Sequence, residues 1–230
     1  LHNNRYLARD LGHGGGYGLP IHRHWFAATL GHSTVVMDGH NQAFTRTHDR
    51  SELERNEHGA CHAHLFRDDV SACTVSADFA YPGCRLRRTL FLAEDYLVDI
   101  TECDSLDGTE HTFDWILHTG GIIQMELPFA HASLDFYTDG YDYIREVEGF
   151  STADRWGLDV MDCTWFDSEP AISGRVMRLS MPGEAGTTVL KGVCPSAVPH
   201  AYDPVVIVRR RARSTVFVAL HVPGDGEFNL

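Results

Sequence analysis

The chain has 230 residues, of which 43% are hydrophobic, and a formal net charge of -13. This length and apolar content support a packed core and argue against disorder. The negative charge argues against a nucleic-acid partner, because a phosphate backbone is bound by a basic face. No apolar run approaches the roughly 18 residues of a membrane helix, so no membrane partner is expected.

The first forty residues form the most informative stretch. A strand is predicted at 5–9, with no initiator Met or leader before it, so we expect a fragment that lacks its N-terminal side. A glycine-rich loop at 10–18 would let a polymer or a metal approach the backbone closely. Imidazoles then precede a β-branched strand at 33–37, which places His32 at its entrance and is followed by an Asp38-Gly39 turn.

Strand signals dominate the remaining sequence, and helix signals are weak. Asp68-Asp69 and residues 105–108 are typical of hairpin turns, whereas residues 120–156 are irregular and aromatic-rich, which favours long loops. Strands are predicted at 33–37, 60–67, 70–79, 84–92, 96–101, 111–118, 160–166, 175–181, 187–190, 205–211 and 215–222. Short strands at roughly ten-residue spacing predict an all-β fold, a large antiparallel β-sandwich, as one domain over residues 1–230.

Two sets of side chains receive structural interpretations. The arginines at 85–88 and 209–213 are interpreted as solvated strand faces. The six cysteines include no Cys-x-x-Cys pair, which argues against a zinc knuckle. All six are interpreted as small buried hydrophobes, and their even number leaves disulfides open.

Histidine is unusually frequent, with 15 in the chain. The pairs His22/His24 and His62/His64 would each share a face on a strand and so chelate a metal, the alternative being exposed hydrogen-bonding histidines. No Glu follows His24 as a cupin-type metal barrel requires. The glycine loop lacks the third Gly of G-x-G-x-x-G, and G-x-S-x-G is absent, which argues against a nucleotide site and a serine hydrolase elbow.

Residues 25–42 carry a recognisable pattern, W-F-x-x-T-L-x-H-S-T-V-V-M-D-G-x-x-Q. It resembles the WY-x-x-T-x-x-HNTVVVDG-x-x-Q stretch of heparinase II/III-like polysaccharide lyases, with the oligoalginate lyase branch nearest. Residues 7–12 resemble the family's strand ending in D-x-G, 88–100 its R…Y-x-V-D strand pair, and 111–118 its H-x-F-D-W-x-x-H strand. The resemblance covers about the first half of the chain and implies a C-terminal sandwich whose partner, an N-terminal α/α-toroid, is missing.

The resemblance also implies a reaction, β-elimination at a uronic acid. A base removes the proton at C5, next to the carboxylate, and an acid, typically Tyr, protonates the departing glycosidic oxygen. The intermediate is an enolate-like dianion that must be neutralised. In the family the toroid supplies the Tyr and an Asn/His pair. The sandwich supplies a further His and, in some members, a structural zinc bound by two His and one Asp.

Two residues match the family's functional positions on the sandwich. Asp10 matches the acid of D-x-G, and His32 matches the His of HNT. The resemblance implies that both are ligands of zinc or orienting groups at the toroid junction, with His32 also catalytic. A third ligand, from an H-G-H-x-D segment, would lie upstream of Leu1. Ser33 replaces the family's Asn, and the alternative for His32 is a core histidine that caps a strand.

Four residues near the glycine loop are candidates for substrate binding. Tyr17 and His22 would line the groove, and Arg23 would pair with a uronate carboxylate. Trp25 is a candidate sugar platform, for which a core position is the alternative.

The predicted function is therefore the sandwich part of a polysaccharide lyase acting on alginate-like or heparin/heparan-like glycans. Its expected partners are an acidic polysaccharide and the toroid of the same protein, and the isolated chain is expected to be inactive. The alternatives are a non-catalytic carbohydrate-binding or support sandwich, and a free-standing metal-dependent β enzyme with three converging ligands. A bacterial protein is expected, with periplasmic and cytoplasmic locations both open.

Overall fold

The computed structural model describes residues 8–12, 14, 16–42, 59–125, 127–166, 169–198 and 200–224, without the side chains of 163–166, 169–171 and 173. Within these residues the chain forms two antiparallel sheets and three helical turns of five residues or fewer. The strands are β1 (Val35–Met37), β2 (Ala60–Phe66), β3 (Val70–Tyr81), β4 (Cys84–Ala93), β5 (Leu97–Ser105), β6 (His111–His118), β7 (Ile122–Gln124), β8 (Ala130–His131), β9 (Arg145–Thr152), β10 (Trp156–Phe166), β11 (Glu169–Met181), β12 (Thr187–Pro195), β13 (Tyr202–Ala212) and β14 (Ser214–Pro223). The helical turns span His22–Phe26, Thr29–Gly31 and Tyr141–Tyr143.

The two sheets confirm the predicted all-β sandwich. One sheet has the strand order β2-β3-β4-β5-β14-β11-β10-β7, and the other has the order β1-β6-β13-β12-β9-β8. Their facing surfaces enclose a core that includes Phe113, Trp115, Val206 and Phe217. No helix in the described part of the chain has the length and apolar character needed to cross a lipid bilayer.

The strand prediction succeeds where the pattern is local and fails at several ends. β6 coincides with the predicted 111–118, but β5 continues beyond 101 to Ser105. The extension follows from alternation, because Asp99, Thr101 and Cys103 point inward and are buried while the residues between them face outward. A polar residue near a strand end therefore does not mark where the strand stops.

The prediction of long loops over 120–156 is wrong in part. β9 crosses this region and pairs with β12, and the short strands β7 and β8 also lie there. Two features hide β9 in the sequence: its polar residues, and Gly149, where an added Cβ would lie 2.7 Å from Leu190. The turn at Asp38-Gly39 is confirmed, since both residues have positive φ and the His40 N–H donates to the Met37 carbonyl.

A second apolar layer covers the outer face of the six-stranded sheet. It packs Leu11, Trp25 and Phe26 from the start of the chain, and Tyr141 from the helical turn before β9, against Ile116 of β6. The central strands β6 and β13 are consequently buried on both faces. This layer holds the glycine-rich loop in place. Residues 1–7, which include most of the strand predicted at 5–9, lie outside the described residues.

The arginine interpretation is wrong for three of the seven residues. Arg209 is only 11% exposed and forms a bidentate ion pair with Asp114, and Arg210 is 3% exposed and pairs with Glu184. Arg88 forms a bidentate pair with Asp99 inside the sandwich. A guanidinium can occupy a covered strand position when a carboxylate on a neighbouring strand or loop neutralises it.

The cysteine interpretation holds for part of the set. Cys84, Cys103 and Cys194 are buried, as expected, and the five cysteines whose side chains are described are free thiols. Cys61 is exposed and Cys73 is partly exposed, so the interpretation is wrong for this pair. They lie on the two strands at one edge of the eight-stranded sheet, where the described part of the chain leaves all of β2 exposed.

Candidate functional site

The segment that carries the candidate site is anchored to the ends of two central strands. Ala8 forms a β-bridge with Thr119, and the Arg9 N–H donates to the carbonyl of His118 at 3.0 Å. The Arg9 guanidinium contacts both carboxylate oxygens of Asp203, at 2.9 and 3.0 Å. The chain therefore enters the glycine-rich loop directly above the end of β6 and the beginning of β13.

Two glycines allow close packing around the first helical turn. Gly14, in the loop, has a φ of +56°, and a Cβ there would lie 1.9 Å from the ring of Phe26. Gly31 ends the second helical turn, and a Cβ there would lie 2.4 Å from the carbonyl oxygen of Trp25. A side chain at Gly14 would push the loop away from Phe26, and one at Gly31 would separate the two helical turns.

The expected His22/His24 chelating pair does not form. Residues His22–Phe26 make a π-helical turn, closed by a hydrogen bond from the Ala27 N–H to the carbonyl of His22 at 2.8 Å. Trp25 and Phe26 are adjacent and both buried, which a helical turn permits and a strand with one buried face does not. In a helical turn, residues i and i+2 do not face each other, so His22 and His24 lack a common ligand face.

The second His-x-His pair lies on β2 at the exposed sheet edge. His62 is at a β-bulge, and its Nε2 lies 2.8 Å from Oγ of Ser76. The ring of His64 lies 5.8 Å from the ring of Phe66, centroid to centroid. These contacts match the alternative that was left open, exposed histidines that hydrogen-bond and pack locally.

Asp10 and His32 meet in the structure. The carboxylate Oδ2 of Asp10 lies 3.3 Å from Nδ1 of His32, and its Oδ1 accepts the Gly12 N–H at 2.8 Å. The side chains are 71% and 42% exposed, so both reach solvent. The pKa of Asp10 is lowered, chiefly by the Gly12 N–H, with a smaller contribution from the nearby His32 ring. The carboxylate thus stays ionised beside the imidazole.

A buried histidine holds the backbone on which His32 stands. The ring of His118 is fully buried, and its Nε2 lies 2.8 Å from the carbonyl of Leu30, to which it donates. Its backbone N–H donates to Oγ of Ser33, whose carbonyl accepts from the Arg88 guanidinium. Burial lowers the pKa of His118 to about 4, so this ring is neutral near pH 7. His118 and Arg88 therefore fix the residues on both sides of His32.

The four predicted substrate-binding residues separate into two groups. Tyr17 and His22 meet edge to face, with ring centroids 4.8 Å apart, and Arg23 is exposed in the turn beside them. Trp25 is 0% exposed and donates its indole N–H to the carbonyl of Pro195. A fully buried ring has no face for a sugar, so Trp25 serves the outer core layer.

The described residues do not complete a zinc site. Asp10 and His32 supply two donors, and no group of three His, Cys, Asp or Glu side chains within the described ranges is arranged to hold a metal. Zinc sites in proteins use at least three protein ligands, four where the role is structural. His2, His13 and the segment 43–58 lie outside these ranges.

A cleft of about 470 Å³ opens elsewhere, at the edge where β7, β9, β12 and β13 approach one another. Tyr202 lines it with a half-exposed ring, beside the ion pair between Lys191 Nζ and Glu148 Oε2 at 2.7 Å. Glu146, which also lines it, has a φ of +54° at a β-bulge opposite Gly192. None of the residues predicted from the sequence lines this cleft.

Sequence reasoning missed the residues that support His32. His118 was recognised only as the end of a strand motif, and Arg88 only as a charged strand residue and the Arg of the family's R…Y-x-V-D strand pair. One signal in the sequence could have indicated their role. Each lies at a strand position that faces inward or is covered, and a charged or titratable group at such a position needs a partner. The identity of that partner, such as Asp203 for Arg9, is set by contacts 194 residues apart along the chain.

The fold is a large two-sheet antiparallel sandwich that carries a loop-borne Asp–His pair at one end. The sequence profile described as "Heparinase II/III-like, C-terminal" matches residues 1–156, more than half of the chain. The protein therefore belongs to the heparinase II/III-like C-terminal family. A search of curated proteins found no match.

Solved structures show the same fold. The heparan sulfate lyase HepC from Pedobacter heparinus superposes with a TM-score of 0.60 at 14% identity, over 98% of this chain and 29% of that one. A heparinase III gives a TM-score of 0.58 at 13% identity, over 98% of this chain and 29% of that one. A second heparinase III gives 0.56 at 14% identity, over 94% and 28%. The chain thus spans less than a third of the length of these lyases.

Proposed function

We propose that this chain is the sandwich part of a polysaccharide lyase that cleaves uronic-acid-containing glycans by β-elimination. The observation that supports the proposal is the contact between Asp10 and His32, which the motif resemblance predicts and whose Oδ2 and Nδ1 atoms lie 3.3 Å apart. Heparan-like and alginate-like polymers are both candidate substrates. The other catalytic groups, a Tyr and an Asn/His pair, would come from an α/α-toroid of the same protein.

The geometry suits His32 to act on a substrate carboxylate or on a proton beside it. A donor–acceptor contact between Nδ1 and Asp10 orients the ring and favours the tautomer that leaves Nε2 available to a ligand. Charge that develops on the carboxylate during C5 deprotonation needs a nearby hydrogen-bond donor or cation. We assign that role to His32, and the role of orienting group to Asp10.

The helical turn between Asp10 and His32 in the sequence carries an exposed positive charge for a polyanion. Although the chain as a whole is acidic, Arg23 is exposed in the turn that also carries His22. A guanidinium binds a uronate carboxylate in a bidentate manner, and Tyr17 offers an exposed ring next to His22. We assign substrate binding to Tyr17, His22 and Arg23.

Zinc binding by Asp10 and His32 would require further protein ligands. Asp10 and His32 would hold such an ion together with two ligands from outside the described residues, and a bound zinc would supply structural cross-linking at the domain junction. Elemental analysis of the longer protein, before and after His32→Ala, tests this assignment. An equal zinc content in both proteins would exclude His32 as a ligand.

The activity is tested in the longer protein that contains this chain, assayed by the ultraviolet absorbance of the unsaturated product on heparan sulfate and alginate oligomers. We expect turnover on at least one polymer, and a decrease of about 10²–10⁴-fold in His32→Ala. His24→Ala is the matched control, since His24 is an exposed histidine of the helical turn at 22–26, and it should retain near wild-type turnover. The isolated 230-residue chain should show none. Absence of product from every uronate polymer would contradict the proposal.

The cleft favours one alternative, a sandwich that binds carbohydrate without catalysing its cleavage. A half-exposed Tyr202 beside paired Lys191 and Glu148 is a combination that can stack on a sugar ring and hydrogen-bond its hydroxyls. Calorimetric titration of the isolated chain with uronate oligosaccharides distinguishes this carbohydrate-binding function from the proposed lyase function. Binding that is lost in Tyr202→Ala but unchanged in His32→Ala, with no lyase activity in the longer protein, would favour the alternative.

A further inference from the structure

Two thiols face each other at the edge of the eight-stranded sheet. Cys61 lies on β2, the outermost strand, and Cys73 lies on the adjacent β3. Their Sγ atoms are 3.9 Å apart, Cys61 is exposed and Cys73 is partly exposed. The buried thiols of Cys84, Cys103 and Cys194 lack this access to solvent.

The strand register accounts for the approach of the two side chains. Cys61 is opposite Val75 and His64 is opposite Cys73, with a β-bulge between Cys61 and Ala63. The cysteines are thus diagonal neighbours on the two strands. Diagonal neighbours are ordinarily about 7–8 Å apart, with a shorter distance between Cβ atoms, and the two side chains here bring their Sγ atoms to 3.9 Å. A disulfide needs an S–S distance near 2.0 Å, so each Sγ must move by about 1 Å.

The edge position makes such a movement possible. Every residue of β2 is exposed, and the strand pairs only with β3 among the described residues. Strands with few buried contacts open and shift at low free-energy cost compared with core strands. β2 can therefore adjust to the bond without disturbing the inter-sheet core, in which it takes no part.

We propose that Cys61 and Cys73 are a redox modification site and form an intramolecular disulfide by exchange with a small disulfide such as oxidised glutathione. One cysteine thiolate attacks the glutathione disulfide, forms a mixed disulfide and releases one glutathione thiolate. The second cysteine thiolate then attacks the protein sulfur of that mixed disulfide and releases the second glutathione. The protein loses two electrons and two protons, and two glutathione thiols are formed.

The bond would attach the edge strand covalently to the sheet. It closes a loop that contains the hairpin turn at Asp68-Asp69, in which the Arg67 N–H donates to the carbonyl of Val70. Because cross-links restrict the unfolded chain and local opening, the oxidised form should be more stable than the reduced form. The two states would differ most in the exchange of β2 amide hydrogens.

The experiment equilibrates the folded chain with oxidised glutathione, traps free thiols and maps peptides without reduction. We expect a link between the Cys61 and Cys73 peptides, a mass lower by two hydrogens, and slower amide exchange in β2. Cys61→Ser and Cys73→Ser should each lose all three signals while keeping the circular dichroism of the parent. Glutathione adducts on both cysteines without a link, or a link formed only in denaturant, would overturn the proposal.

Discussion

The outer face of β6 and β13 differs sharply between its two ends. At one end, Asp114 of β6 and Arg209 of β13 form a bidentate pair under the layer that contains Tyr141, whose hydroxyl donates to Asp114 at 2.6 Å. At the other end, His118 and Asp203 support a loop on which Asp10 and His32 meet in solvent. We call the first the closed end and the second the open end.

The difference separates stability from chemistry. At the closed end Asp114 is 1% exposed and has several donors, and desolvation raises the pKa of Tyr141 well above its ordinary value. Such a network contributes through burial and complete hydrogen bonding. At the open end the Asp10–His32 contact is long and hydrated, so its loss costs the fold little. The exposed side of the His32 ring can therefore meet a ligand without any unfolding of the loop.

The largest expected effect comes from the closed end. Asp114→Ala should lower the free energy of unfolding by about 3–5 kcal/mol, because it leaves the buried Arg209 guanidinium without its main partner. Chemical denaturation measures the change. Asp135→Ala is the matched control, since Asp135 contacts the same guanidinium at 3.1 Å but is largely exposed, and it should cost less than about 1 kcal/mol. Equal costs for the two variants would remove the distinction between the ends.

Acid should weaken the molecule through its buried histidines. Burial lowers the pKa of His118 and of the core residue His221 to about 4, whereas unfolded histidine titrates near 6.5. The unfolded chain therefore takes up protons first as pH falls, and stability decreases between about pH 6.5 and pH 4. Each ring contributes up to about 1.4 kcal/mol per pH unit.

Urea unfolding at pH 7, 6 and 5 measures this slope, and histidine NMR titration assigns it to individual rings. His111, whose pKa is raised by Asp38, acts in the opposite direction: its contribution is lost as pH rises through the raised pKa, above the window in question. A free energy of unfolding that stays constant from pH 7 to pH 5 would show that the two rings are accessible to protons in the folded state.

The same contrast explains what the sequence could and could not predict. The strand at β6 and the turn at Asp38-Gly39 follow from short-range patterns, namely the turn-type residues 105–108 before the strand and the tolerance of Asp and Gly for positive φ. The contact between Asp10 and His32 was expected only from the family resemblance, because a spacing of 22 residues does not dictate proximity. The helical turn at 22–26 required knowledge of the layer into which Trp25 and Phe26 pack.

The closed end was out of reach for a related reason. An arginine on a strand is interpreted as a solvated residue unless its carboxylate partner is known. Arg209 contacts Asp114, 95 residues away in the sequence, because β13 pairs with β6. The second half of the chain was matched only as generic β sequence, yet β12 and β13 provide the partners of the first half. Pairing between strands that are distant in sequence thus determines which polar side chains are buried in ion pairs and which remain exposed to solvent.

The smallest effect on stability is expected at the open end. Asp10→Asn and His32→Ala should each change the free energy of unfolding by less than about 1 kcal/mol, because both side chains are hydrated and the contact is 3.3 Å long. The lowered pKa of Asp10 means that its small contribution is present above the unfolded pKa of about 4 and is lost as pH falls through the lower folded value. Asp10→Asn should abolish that dependence.

The decisive measurement for the open end is ligand binding by the folded protein. Asp10→Asn and His32→Ala should differ from the parent in how they respond to a ligand, and not in their free energy of unfolding. The titration uses a uronate oligosaccharide and is followed by the NMR signals of the His32 ring. In Asp10→Asn the balance between the two tautomers of this ring should change, because the orienting carboxylate is gone. The shift of the ring signals on addition of the oligosaccharide should also be smaller. The His118 signals should not respond, since that ring is neutral and enclosed. If either variant instead lowered the free energy of unfolding as much as Asp114→Ala does, the Asp10–His32 contact would be a structural one. The proposed contrast between the two ends would then be wrong.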